Sequence, residues 1–181
     1  MNLANKLTLA RIFLVPVFMI ILLVHLRYGE YIAAGIFILA ASTDGLDGYI
    51  ARSRKQITRL GKLLDPLADK LLVTAALISL VELDKIPAWI AVLIIGREFA
   101  VTGLRTIAAG EGVIIAASRW GKLKTISQIV AIVAILIHDF PFNYINIPIG
   151  VISLYVAVIF TLWSGFDYFH KARKLLRGSL K

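Results

Sequence analysis

Apolar residues run along the chain in six long blocks, at roughly 7–26, 31–51, 62–82, 87–108, 122–139 and 147–168, separated by short polar or basic connections. Each block is close to the ~20 residues with which an α-helix crosses a hydrocarbon layer about 30 Å thick. In such a layer the backbone must satisfy its own hydrogen bonds, which selects helices. The pattern predicts an all-α integral membrane protein with six transmembrane helices, residues 1–181 forming one domain without repeats or low-complexity stretches. Two flanking stretches are expected at the membrane surface, the first as a short interfacial helix. One is the short segment from Asn2 to Leu7, which carries Lys6; the other is the tail from Phe166 to Leu180, where apolar and basic residues alternate.

Composition agrees with the pattern. Hydrophobic residues make up 59% of the chain and charged residues 17%, with a mean hydropathy of +0.84. A soluble domain of 181 residues could not bury that much apolar surface. Cysteine is absent, which excludes disulfides, thiolate metal sites and cysteine nucleophiles. The first apolar block is as long as a full span and lacks a small-residue cleavage pattern, so no removable leader is expected.

The net charge of +9 is distributed unevenly. Arg52, Arg54, Lys55, Arg59 and Lys62 fall between blocks two and three, and Arg105, Arg119, Lys122 and Lys124 around the connection between blocks four and five. Lys171, Arg173, Lys174, Arg177 and Lys181 close the chain, whereas the other connections hold only Arg27 and Lys85. The positive-inside bias then places both termini and the 52–62 and 109–121 loops in the cytoplasm. Basic residues that flank spans, with no recognition module, argue against nucleic acid as a partner. Trp89, Trp120, Trp163, Tyr144 and Tyr168 suit interfacial belts, and His25 and His138 are expected on the far surface. Pro16 inside the first block is expected as a tolerated kink.

Four of the eleven acidic residues fall between positions 44 and 69, inside or beside apolar blocks. Asp44 and Asp47 are three apart, and Asp65 and Asp69 four apart, so each pair shares one face of a helix. The basic loop between them turns the chain back, and the two pairs can converge at the cytoplasmic end. A carboxylate at membrane depth is costly unless it meets a cavity, a partner or a cation. Clustered hard oxygen donors suit Mg²⁺ or Mn²⁺ better than Zn²⁺. Two ions on shared carboxylates can clamp the attacking and leaving oxygens of a phosphoryl displacement. Gly48 opens the backbone to a ligand one turn past Asp44, and Arg52 can pair with a carboxylate or a phosphate at the same mouth. Capping or salt-bridged acids are the plainer alternative; they explain one such aspartate better than four in two face-matched pairs.

Asp44, Asp47, Gly48, Ala51, Arg52, Gly61, Asp65 and Asp69 together write D-x2-D-G-x2-A-R-x8-G-x3-D-x3-D. At every fixed position this resembles the signature of the CDP-alcohol phosphotransferases, a family of six-helix membrane enzymes that release CMP. The resemblance implies that Asp44 and Asp65 bridge two divalent cations, Mg²⁺ or Mn²⁺. It gives one ion to Asp47 and the other to Asp69, which also acts as the base. It further implies that Asn5, Thr8, Asp47, Gly48, Arg52 and Thr58 bind the cytidine diphosphate, and that the enzyme is a homodimer in the bacterial inner membrane.

The signature leaves the acceptor open. Arg97, Arg105, Arg119, Lys122 and Lys124, with Arg11 in the first block, are basic groups able to surround the aspartates. Glu98 and Arg105, seven apart, share a helix face, and Gln128 lies one turn beyond Lys124. Such a cluster suits an acceptor that carries its own phosphate, although any one of these residues could equally be a topological anchor. The runs GREF, GLR, AAS, GKLKT and NKLTLAR are similar to the branch of the family that uses CDP-diacylglycerol as donor and sn-glycerol 3-phosphate as acceptor. Inositol phosphate or phosphatidylglycerol as acceptor are the alternatives within the family. A cation transporter is the alternative outside it, and would need acids spread through the bilayer depth rather than gathered at one end.

Overall fold

The six apolar blocks become six helices in the computed structural model. They are α1 Leu3–Leu23, α2 Gly29–Ser53, α3 Arg59–Glu82, α4 Ala88–Gly110, α5 Arg119–Leu136 and α6 Ile149–Ser179, with a 3₁₀ turn at Phe142–Ile145. The structure describes the backbone of residues 3–24, 26–53, 59–110, 119–140, 142–145 and 147–179, and side chains within 7–24, 26–43, 67–68, 70–110, 120–140, 142, 144 and 147–170.

Two boundaries differ from expectation. α1 begins at Leu3, so the expected N-terminal interfacial segment is the first turn of the first helix. α6 continues to Ser179, so the basic tail is not a separate element but the end of the last helix. No Gly or Pro lies between Leu3 and Leu7 or between Phe166 and Arg177, so nothing interrupts the helix at either junction.

α1 packs on α2 and α3, α5 and α6 form an antiparallel pair, α4 packs on α6, and α2 and α3 bring the two groups together. Phe18 and Phe37 meet at 5.9 Å at the α1–α2 contact. Around them Ala33, Ala34 and Ala40 of α2 and Ala75 and Ala76 of α3 are buried. Small side chains let helix backbones approach closely, which is the way helices associate without a hydrophobic drive between them. Two glycines mark the tightest approaches. A Cβ on Gly29 would stand 2.8 Å from the Ile21 carbonyl oxygen. One on Gly150 would stand 2.7 Å from Ile135 Cγ1 and 2.9 Å from Asp139 Oδ1.

The outer surface is apolar: Phe13, Ile20, Leu39, Val92, Phe99, Ile159, Trp163 and Phe166 are exposed. The interior instead holds Thr8, Arg11, Lys124, Gln128, Thr161 and Ser164. Polar groups inside and apolar groups outside suit a bundle with a lipid surround. Among the described residues one stretch, Ile149–His170, is long and apolar enough to cross a membrane; Leu7–Leu23 and Gly29–Thr43 are shorter apolar stretches. The remaining helices carry charges within their apolar blocks, such as Arg97 and Glu98 in α4, which dilute the signal.

At the end of the bundle where α2 begins, Glu30 Oε2 accepts a hydrogen bond from Lys85 Nζ at 2.5 Å, and His138 Nε2 lies 2.9 Å from the same oxygen. His138 is exposed there, as expected, while His25 lies outside the described residues. Asp139 Oδ1 accepts from the Gly150 N–H at 2.5 Å and so caps α6. Asp44 is some 21 Å further along α2, at 1.5 Å per residue.

Candidate active site

Helices α2 and α3 carry the four aspartates towards the same end. Asp44 and Asp47 lie in the last turns of α2, and Asp65 and Asp69 in the first turns of α3. The two helices pack on each other, and the 54–58 connection between them lies outside the described residues. The side chains of all four aspartates, and those of Asn5, Gly48, Arg52 and Arg119, also lie outside the described residues, as does the whole of Thr58. Eight carboxylate oxygens on two packed helix ends are a donor set that suits Mg²⁺ or Mn²⁺.

The described neighbours form an ordered shell. Arg11 and Thr8 of α1 are buried at 1% and 0% exposure. Arg11 Nε donates to Thr43 Oγ1 at 3.3 Å, and Thr43 Oγ1 donates to the Ala40 carbonyl at 2.7 Å. Thr43 immediately precedes Asp44, so the guanidinium of α1 is held beside the first aspartate's backbone.

On the other flank, Lys70, which follows Asp69, donates through Nζ to Thr102 Oγ1 on α4. Thr102 Oγ1 in turn donates to the Glu98 carbonyl at 2.7 Å. Glu98 Oε1 accepts from Arg97 Nη1 at 2.9 Å and from Lys124 Nζ on α5. Arg97 Nη2 donates to Ser164 Oγ on α6 at 2.8 Å, and its guanidinium lies 5.5 Å from the Tyr168 ring centroid. One carboxylate thus joins three helices through two cations. Charge-assisted bonds of this kind are stronger than neutral ones, and the low dielectric of the interior strengthens them further.

Lys70, Thr74, Glu98, Lys124, Thr125 and Gln128 line a small cleft between α3, α4 and α5, floored by Val73, Leu77, Ile94 and Ile95. Val73 lies one turn beyond Asp69, so the cleft starts at the aspartate end of α3. Among the expected acceptor residues, Arg97 and Lys124 meet at Glu98, whereas Arg105 and Lys122 stand exposed on α4 and α5. Glu98 faces Lys124 rather than Arg105, because the α5 ammonium closes on it from a neighbouring helix. Tyr168, expected at an interface, is 4% exposed and packs with Val101 and Ala108.

Sequence reasoning did not find Lys70, Thr102 and Ser164, nor the part Glu98 plays. The signal available was the adjacent pair Arg97-Glu98 inside an apolar block, where neither charge is stable without partners.

The fold and the aspartate-bearing helix pair define the class. Residues 1–163 match the CDP-alcohol phosphatidyltransferase family, and the chain belongs to it. Among its curated relatives, a Bacillus subtilis (strain 168) protein is 50% identical, with 98% of each chain covered; it is named CDP-diacylglycerol--glycerol-3-phosphate 3-phosphatidyltransferase. A Haemophilus influenzae protein of the same name is 40% identical over 99% of this chain and 98% of its own, and one from Rickettsia felis 37% identical over 96% of each.

Proposed function

We propose that this chain transfers the phosphatidyl group of CDP-diacylglycerol to the 1-hydroxyl of sn-glycerol 3-phosphate, giving phosphatidylglycerophosphate and CMP. The observation that carries the reading is similarity along the whole chain, 50% identity across 98% of it, to a relative named for that transfer. The buried Lys124 in a cleft that begins one turn from Asp69 agrees with it.

Asp69 takes the proton of the 1-hydroxyl, and the resulting alkoxide attacks the β-phosphorus of the donor. The phosphoanhydride bond breaks and CMP leaves. Two divalent cations, held by Asp44, Asp47, Asp65 and Asp69, supply charge neutralisation for the diphosphate when bound. Arg52, Gly48, Asn5, Thr8 and Thr58 receive the cytidine diphosphate. The acceptor phosphate sits near Lys124, with Arg11, Arg97, Arg105, Arg119 and Lys122 supplying the surrounding positive field. Arg97 acts through Glu98, which orients Lys124. The six helices cross the bacterial inner membrane with both termini and the site on the cytoplasmic side, and the enzyme is a homodimer.

The test is an acceptor screen. Purified protein with CDP-diacylglycerol and Mg²⁺ or Mn²⁺ releases CMP when given sn-glycerol 3-phosphate, and not when given inositol phosphate or phosphatidylglycerol. A faster reaction with either of the latter keeps the family and overturns the acceptor.

A further inference from the structure

Glycerol 3-phosphate presents three polar groups: the attacking 1-hydroxyl, the phosphate dianion and the 2-hydroxyl. The first is matched by Asp69 and the second by the cations. The third has no partner assigned.

Gln128 is 3% exposed and lines the cleft one turn beyond Lys124 on α5. Its Nε2 is buried without a hydrogen-bond partner among the described residues. A buried amide nitrogen left unpaired costs free energy, and native proteins retain few of them. It stands in the cleft between α3, α4 and α5, where Lys70 and Lys124 are engaged with Thr102 and Glu98. A neutral amide there adds little to the attraction for a dianion. It does match an alcohol, whose oxygen both accepts and donates.

We propose that Gln128 is a specificity-determining residue that donates through Nε2 to the 2-hydroxyl of the acceptor. The proposal rests on the reading of the cleft as the acceptor's seat. Its consequence is selectivity. A site whose buried donor is satisfied only by a substrate hydroxyl discriminates against an analogue lacking it, because the donor is then unpaired again.

The experiment compares sn-glycerol 3-phosphate with 3-hydroxypropyl phosphate, which keeps the attacking hydroxyl and the phosphate but lacks the 2-hydroxyl. For the parent, kcat/KM should favour glycerol 3-phosphate on the order of 10-fold. Gln128→Leu, and Gln128→Met as a second variant with a flexible side chain, should bring that ratio close to 1, with KM for CDP-diacylglycerol unchanged. Because both remove an unpaired buried group, the thermal midpoint should stay or rise. A parent-like ratio in both variants overturns the proposal, and a lowered midpoint beside that ratio assigns the amide a structural role. Lys124→Met separates the underlying reading: it should raise KM for both acceptors alike. If Lys124→Met changes neither KM, the acceptor does not occupy the cleft and both inferences fall.

Discussion

Glu98 on α4 and Lys124 on α5 form an ion pair in which the lysine is 3% exposed and the carboxylate half-open to the cleft. The same Glu98 oxygen accepts from Arg97, so removing one carboxylate takes the anionic partner from two cations. Breaking a buried pair from one side costs roughly 3–5 kcal/mol. Glu98→Ala should therefore lower the thermal midpoint in detergent strongly and raise KM for glycerol 3-phosphate. Glu98→Gln, which keeps an acceptor oxygen, should lie between it and the parent in both measurements.

Chelation should abolish turnover. EDTA is expected to stop CMP release, and Mg²⁺ or Mn²⁺ to restore it. Asp44→Asn and Asp65→Asn should each be as damaging as chelation, since each removes a carboxylate assigned to both ions. Full activity in metal-free buffer contradicts the assignment.

Asp69→Asn keeps the size of the side chain but cannot take a proton. Turnover should fall ~10²–10⁴-fold, while binding of CDP-diacylglycerol, followed by equilibrium titration, falls far less. Near-normal turnover moves the base to another residue.

The basic residues should separate by burial. Lys124 is buried against the cleft, whereas Lys122 and Arg105 are exposed. Loss of a charge-assisted hydrogen bond to phosphate is worth roughly 1.5–3 kcal/mol, about 10- to 150-fold in affinity. Lys124→Met should reach that range in KM for glycerol 3-phosphate. Lys122→Met and Arg105→Met should change it by a smaller, salt-dependent factor, because exposed charges act through a screened field.

Gly150→Ala probes the α5–α6 pair. The new methyl would meet the Ile135 backbone nitrogen at 3.1 Å as well as its side chain. A backbone atom cannot step aside as a side-chain end can, so overpacking of about 1–3 kcal/mol is expected. It would be read as a lower thermal midpoint with kcat/KM preserved, because Gly150 lies at the end of the bundle remote from the aspartates.

Much of the helix plan was legible because long apolar blocks have few ways to fold. The block at 31–51 lies wholly within α2, and that at 87–108 differs from α4 by a residue or two. The ends were less legible. No Gly or Pro marks where α1 gains its first turn, and the alternating tail after Phe166 satisfies a helix as well as the block before it. For the site, fixed spacing revealed the aspartate pairs, since helix register alone puts each pair on one face. The partners of Glu98 were not legible, because Lys124 and Ser164 come from other helices and no sequence offset encodes that approach. Tyr168 was misplaced for the same reason: composition suggests an interface for any tyrosine near a helix end, but tertiary packing put this one beneath Arg97.

The unbroken course of α6 has a mechanical side. Its 31 residues make a rod about 46 Å long at 1.5 Å per residue, well beyond the ~30 Å of hydrocarbon in a bilayer. Ser164 and Tyr168 are fixed points along that rod, and both hold Arg97. A helix longer than the hydrocarbon layer answers a thinner or thicker bilayer by tilting. In the membrane placement proposed above, the tilt of α6 and the seat of Arg97 would vary together.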